Sequence, residues 1–133
     1  MSYWLLKTEP STYSFADLER DQQTCWDGIT NPVALKHLKS AKAGDRAVVY
    51  HTGDERRAIG VAEIIKAAYP DPRNDKLAVV DLRAGEPLKR PVGLATLKSD
   101  PLFAESPLVR QGRLSFVPLT EAQWKRLLEL GVS

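Results

Sequence analysis

Apolar and aromatic residues run together from Tyr3 to Lys7 and stop at Glu9-Pro10. This pattern predicts a strand that ends where proline withdraws the amide a continuing ladder would use. Ser14 and Asp17 have the spacing of a capping box, and Phe15 and Leu18 share one face, so a short helix is expected over 15–20. Trp26-Asp27-Gly28 then reads as loop. Asn31-Pro32 marks a second helix start, because Asn caps free amides and proline suits the first helical position. Ala34, Leu35, Leu38 and Ala41 form its apolar stripe, and Gly44 is expected to stop it. Alternation over 46–52 and again over 59–65 predicts two strands joined by a turn at 53–57. Pro and Asn/Asp content makes 70–75 a loop, and 77–82 a further strand. A helical turn is expected near Leu94 to Leu97 and a last strand over 114–119. Thr120 and Gln123 then cap a helix that buries Trp124, Leu127 and Leu128 and ends at Gly131.

This order of elements does not alternate as a doubly wound parallel sheet would. It predicts an α+β fold: a small mixed β-barrel of about five or six strands flanked by helices. An open mixed sheet is the alternative, which composition does not separate from it. At 133 residues and 43% hydrophobic content, the chain is expected to form a single domain, 1–133.

Charge narrows the function. Lys and Arg outnumber Asp and Glu by only 19 to 17, too little for a general positive field to hold nucleic acid, so any such binding must be local. One cysteine, Cys25, forms no internal disulfide and points to a reducing compartment. No charged leader opens the chain, and no segment approaches the roughly 20 apolar residues of a membrane span. A soluble, unprocessed protein is expected, cytoplasmic if bacterial and nuclear if eukaryotic, with no membrane partner.

Catalytic chemistry is sparsely signalled. His37, His51 and Cys25 stand apart without metal-ligand spacing, and there is no Gly-rich phosphate loop, nucleophile elbow or paired-Cys motif. Neither a metal nor a cofactor is expected. His51, at the end of a predicted strand, is the best acid–base candidate, and a small hydrolase or base-modifying enzyme using it with Glu9 or Asp27 is the rival class. A protein-interaction module without nucleic-acid affinity is the third.

Several segments together resemble the EVE domain family: Trp4-Leu5-Leu6-Lys7-Thr8-Glu9-Pro10, Trp26-Asp27-Gly28, Gly44-Asp45, Tyr50-His51, Gly60-Val61-Ala62, and Arg110-Gln111 with Leu114-Ser115. The resemblance runs from Trp4 to about Leu130. It implies a PUA-like barrel related to the YTH domain and a non-catalytic module that reads a modified base, in DNA carrying modified cytosine or in modified RNA. Gly60 to Ile64 also looks like the corresponding YTH strand, and Trp26 falls where YTH domains place a cage tryptophan. Thr30 and Pro32, on either side of Asn31, and Lys36 and His37 depart from the family's usual residues, which bears on the base accepted.

Trp26 is the central candidate, since a tryptophan in a Gly-containing loop is placed to stack on a base, worth about 1–3 kcal/mol. Trp4 and Trp124 are expected in the core. Lys7 can reach a phosphate or base carbonyl, and Glu9 can accept from an exocyclic amino group or pair with Lys7. Asn31 offers a base-edge amide or serves only as a cap. Tyr50 and His51 lie on opposite strand faces, so at most one is expected to line the pocket. Gly60 admits a ligand's close approach or a strand bend. Arg110, Gln111 and Arg113 are expected at the nucleic-acid backbone, with Arg56, Arg57, Lys36, Lys39 and Lys42 as its extension.

Overall fold

The computed structural model describes residues 1–111 and 114–132, with the side chain of the last of these left aside. Six strands form one mixed sheet: β1 (Tyr3–Thr8), β2 (Gln23–Trp26), β3 (Arg46–His51), β4 (Arg57–Asp71), β5 (Asn74–Gly93) and β6 (Phe116–Leu119), in the order β2-β5-β4-β3-β1-β6. β1 pairs parallel with β3, and every other pairing is antiparallel. Among the described residues five α-helices accompany it: α1 (Phe15–Asp21), α2 (Pro32–Ser40), α3 (Leu94–Ser99), α4 (Pro107–Arg110) and α5 (Glu121–Val132). The α+β class and strand number are those expected from sequence. The barrel is not closed by hydrogen bonds: among the described residues β2 and β6 remain the two edges.

The local signals act as their chemistry dictates. Ser14 and Asp17 cap each other's amides at the start of α1, which buries Phe15 and Leu18. Asn31 accepts from the amides of Val33 and Ala34, and α2 buries Ala34 and Leu38. Thr120 and Gln123 close the same kind of box before α5. Trp124 then stacks on Tyr3 at 5.0 Å between centroids, and Trp4 packs against Phe116, so both tryptophans belong to the core.

Four expectations are corrected. Trp26 ends a strand, β2, that pairs with β5, rather than lying in a loop. α2 stops at Ser40, before Gly44, because Ala41 turns to an extended conformation. The loop expected at 70–75 is only the tip of a long hairpin, in which Asp71 pairs with Asn74 and β5 runs on to Gly93. Gly131 lies within α5, where the side chain of Leu88 occupies the space a Cβ would need. Pro87 and Pro91 sit in β5 where its register with β4 slips, the position a sheet tolerates them.

Asp45 ties the N-terminus to this core. Its carboxylate accepts from Trp4 Nε1 (3.0 Å), from the Ser2 amide (3.0 Å) and from the Lys42 amide (2.9 Å). Burial would raise its pKa, but these hydrogen bonds outweigh burial and hold it below the ordinary 3.8. A carboxylate with a lowered folded pKa contributes stability that is complete above its unfolded value and is lost as pH falls through the folded one. Asp45→Ala is expected to cost about 3 kcal/mol by stranding these donors, read as a lower urea midpoint.

Candidate functional site

β1 and β2 end beside each other and leave a cleft of about 540 Å³ between them. Lys7, Thr8 and Glu9 line it from β1, Thr24, Cys25 and Trp26 from β2, and Asp27, Gly28 and Ile29 from the loop beyond. Thr12, Tyr13 and Ser115 complete the wall.

Backbone contacts fix these positions. The Glu9 carbonyl accepts from the amides of Thr12 and Tyr13, each at 2.9 Å, which folds the chain back where Pro10 ends β1. Thr8 Oγ1 donates to the Tyr13 carbonyl (2.6 Å), and the Lys7 amide donates to the Ser115 carbonyl (2.9 Å). Pairing of Trp26 with Val80 and Thr24 with Leu82 orients β2.

Trp26 and Tyr13 meet edge-to-face, 6.2 Å between centroids and 83° between planes. Trp26 is 7% exposed and belongs to the core while lining the cleft. Tyr13 is more open, and its hydroxyl donates to Asp21 (2.8 Å). Burial is the leading cause that raises the Tyr13 pKa, so the hydroxyl stays protonated at neutral pH. Lys7 lies half-buried over the Tyr50 ring, 5.7 Å from its centroid, and burial lowers its pKa from the ordinary 10.5.

Two carboxylates face the same space. Among the described residues Glu9 makes only long contacts, accepting from the Ser11 amide (3.5 Å), Ser11 Oγ (3.3 Å) and Thr52 Oγ1 (3.5 Å), which leaves acceptor capacity for a ligand. It lies against Gly53, whose left-handed φ of 71° turns the chain there and whose missing Cβ would come within 2.7 Å of Glu9 Oε2. Asp27 is held by Arg73, at the tip of the β4–β5 hairpin. A half-buried ammonium, a carboxylate with spare lone pairs, hydroxyls and an aromatic strip suit a flat ligand with donor and acceptor edges.

Lys7, Glu9 and Trp26 are thus brought together, with Asp27 of the rival reading beside them, and the other described candidates lie elsewhere. Asn31 is exposed and occupied as the α2 cap. Tyr50 is buried behind Lys7. His51 is also buried, so the two strand neighbours both enter the core, helped by the register shift at Val49/Tyr50. His51 Nε2 accepts from the Phe15 amide (3.0 Å), which places the proton on Nδ1, facing Glu55 Oε1 at 2.9 Å. Both ring nitrogens are therefore engaged away from Glu9 and Asp27, and the acid–base pairing of the rival reading is not assembled. Gly60 makes room for Phe15, since a Cβ there would lie 2.4 Å from the ring. Arg110 is bound to Glu105 (2.8 Å) and the Ala104 carbonyl, and Gln111 is exposed. Arg113 lies outside the described residues.

Tyr13, Thr24 and Ser115 escaped the sequence reading. Thr24 was recoverable, because it alternates with Trp26 along β2. Ser115 reaches the cleft only through the pairing of β1 with β6, a long-range fact without a local signal. Among the described residues no group of three His, Cys, Asp or Glu is placed to hold a metal ion, and no helix is long and apolar enough to cross a membrane.

An α+β domain with an open cleft between the ends of two strands that do not pair with each other, β1 and β2, is the class that fold and site define. The chain belongs to the EVE domain family, whose model matches residues 2–130. Human thymocyte nuclear protein 1 is 32% identical over 97% of this chain and 73% of its own length. Rpa0253 from Rhodopseudomonas palustris is 38% identical with a TM-score of 0.93, covering 98% of this chain and 93% of that one. The human THYN1 protein, solved in complex with 5-methylcytosine-containing DNA, superposes with a TM-score of 0.92 at 30% identity, covering 100% and 99%.

Proposed function

We propose that the protein is a DNA-binding module that takes one cytosine-type base, carrying a 5-methyl group, into the cleft between β1 and β2. The observation that carries this reading is the meeting of Lys7, Glu9 and Trp26 in that one cleft. The relative solved with 5-methylcytosine DNA supports the choice of ligand.

In this arrangement Trp26 and Tyr13 pack against the base. Glu9 accepts from the exocyclic amino group that distinguishes cytosine from thymine, and the Lys7 ammonium donates to the base carbonyl or a neighbouring phosphate. A base drawn from a duplex costs a few kcal/mol to unstack, so single-stranded or mismatched sites bind more tightly. The methyl group adds about 0.8 kcal/mol on burial, a preference of about fourfold. A thymine leaves Glu9 unpaired, a larger penalty of about 1–3 kcal/mol.

Titration with oligonucleotides differing only in one base, at fixed salt, tests the reading. Affinity should follow the order 5-methylcytosine, cytosine, thymine, and Glu9→Gln should narrow the gap between cytosine and thymine. Equal affinity for all three would sink it. The ammonium of Lys7 is the binding form and its pKa is lowered, so affinity should fall on the alkaline side starting below 10.5. Lys7→Met should bind more weakly and lack this share of the pH dependence when compared with wild type on the same oligonucleotide.

A further inference from the structure

A base in the cleft needs a track for the sugar–phosphate backbone on either side. The arginines Arg20, Arg83, Arg110 and Arg126 are each held by carboxylates of their own surface. Lys36, Lys39 and Lys66 are exposed, and among the described residues none of them forms an ion pair. The segment that carries the first two is without an acidic residue from Gly28 to Gly44.

Tyr69 connects these lysines to the outer face of β2, the edge strand whose other face walls the cleft through Thr24 and Trp26. Its hydroxyl lies 3.6 Å from Sγ of Cys25 and donates to Asp81 (2.6 Å). Lys66 Nζ sits over its ring, 4.2 Å from the centroid. With Lys39, Pro70, Leu77 and Ala78, the same ring lines a hollow of about 290 Å³ on the outer arm of the β4–β5 hairpin. Lys36 lies three residues before Lys39 on α2, and so on the neighbouring turn of the same surface. The carboxylates facing this strip are Asp75, in the hollow, and Asp81, already engaged by Tyr69.

We propose that the nucleic-acid backbone leaving the cleft passes over Cys25 and Tyr69 and is held by Lys66, Lys39 and Lys36. This rests on the cleft being the base site. Lysines without carboxylate partners keep their charge for phosphate, and each contact made releases condensed counterions, which steepens the salt dependence of binding. Lys36 and Lys39 were expected from sequence as the extension of a track through Arg110, which is instead paired to Glu105; Lys66 and Tyr69 were not expected there.

The test uses the full chain with a 5-methylcytosine duplex and its thymine counterpart, titrated between 50 and 200 mM salt, conditions over which phosphate contacts are resolved. The triple variant Lys36→Glu/Lys39→Glu/Lys66→Glu should bind about 30-fold more weakly, with its logarithmic salt slope reduced by about 2–3. Its preference for 5-methylcytosine over thymine should be unchanged. The triple Lys→Arg variant should bind as wild type, and so should Lys98→Glu, a lysine of a separate hollow beside Leu94. If the Glu variant loses its thermal midpoint, the triple Lys→Gln variant is read instead, with the slope as the measure. Unchanged affinity and slope, with base preference intact in wild type, would overturn the track and leave the cleft reading standing. A wild type that binds neither duplex would overturn both.

Discussion

Gly60→Ala is expected to destabilise the protein by about 3 kcal/mol, the upper range for overpacking a filled core. The added Cβ would lie 2.4 Å from Phe15 Cζ and 2.6 Å from both Cε atoms, far inside van der Waals contact. Phe15 has little room to withdraw. It is 1% exposed, it opens α1 immediately after the Ser14 cap, and its own amide is held by His51 Nε2. The strain must therefore be taken up by α1 moving off β4 or by β4 leaving its ladder. Urea unfolding followed by tryptophan fluorescence should show a lower midpoint with an unchanged slope. Phe15→Leu shortens the ring that causes the clash, so the double variant should lose less than the sum of the two single losses. An unaltered midpoint for Gly60→Ala would mean that the close approach of α1 to β4 is wrong. The same geometry assigns Gly60 to packing rather than to a ligand's approach.

Elements set by neighbouring residues were legible: the caps of α1, α2 and α5, the strand β1 ended by Pro10, and the core roles of Trp4 and Trp124. Each depends on contacts within a few residues or on the periodicity of apolar positions. The length of β5 was not legible, because its prolines and glycines read as breakers until β4 supplies the bulged partner that accommodates them. β2 was missed because Gln23–Trp26 is only four residues long and gains its strand character from β5.

The site divides along the same line. Lys7 and Glu9 lie on the residues that end β1, and a strand end is a position sequence can locate. Tyr50, His51 and Gly60 were candidates because residue type alone does not reveal a partner. His51 is spent on the Phe15 amide and Glu55, and Gly60 on the Phe15 ring. Phe15 thus accounts for two residues that carried functional expectations, and its role was visible only as one half of a short helix's apolar face.

Trp26 carries both halves of the account. It was expected as an open stacking wall, and it is instead a core residue that lines the cleft, with Tyr13 edge-on beside it. Its removal should therefore weaken binding and stability together, and the two must be read separately. Truncation to alanine would leave a cavity costing about 3–5 kcal/mol, which would obscure any loss of affinity. Trp26→Leu retains apolar volume and removes the aromatic surface. Trp124, equally buried at 7% exposure but stacked on Tyr3 in α5, supplies the matched control.

The direct measurement is the affinity of wild type, Trp26→Leu and Trp124→Leu for a 5-methylcytosine oligonucleotide at one salt concentration, below each variant's thermal midpoint. Wild type should bind, Trp26→Leu should lose about 5- to 150-fold, the range that corresponds to one lost base–aromatic stack, and Trp124→Leu should lose stability with little change in affinity. Equal affinity for wild type and folded Trp26→Leu would contradict a base-binding cleft between the ends of β1 and β2.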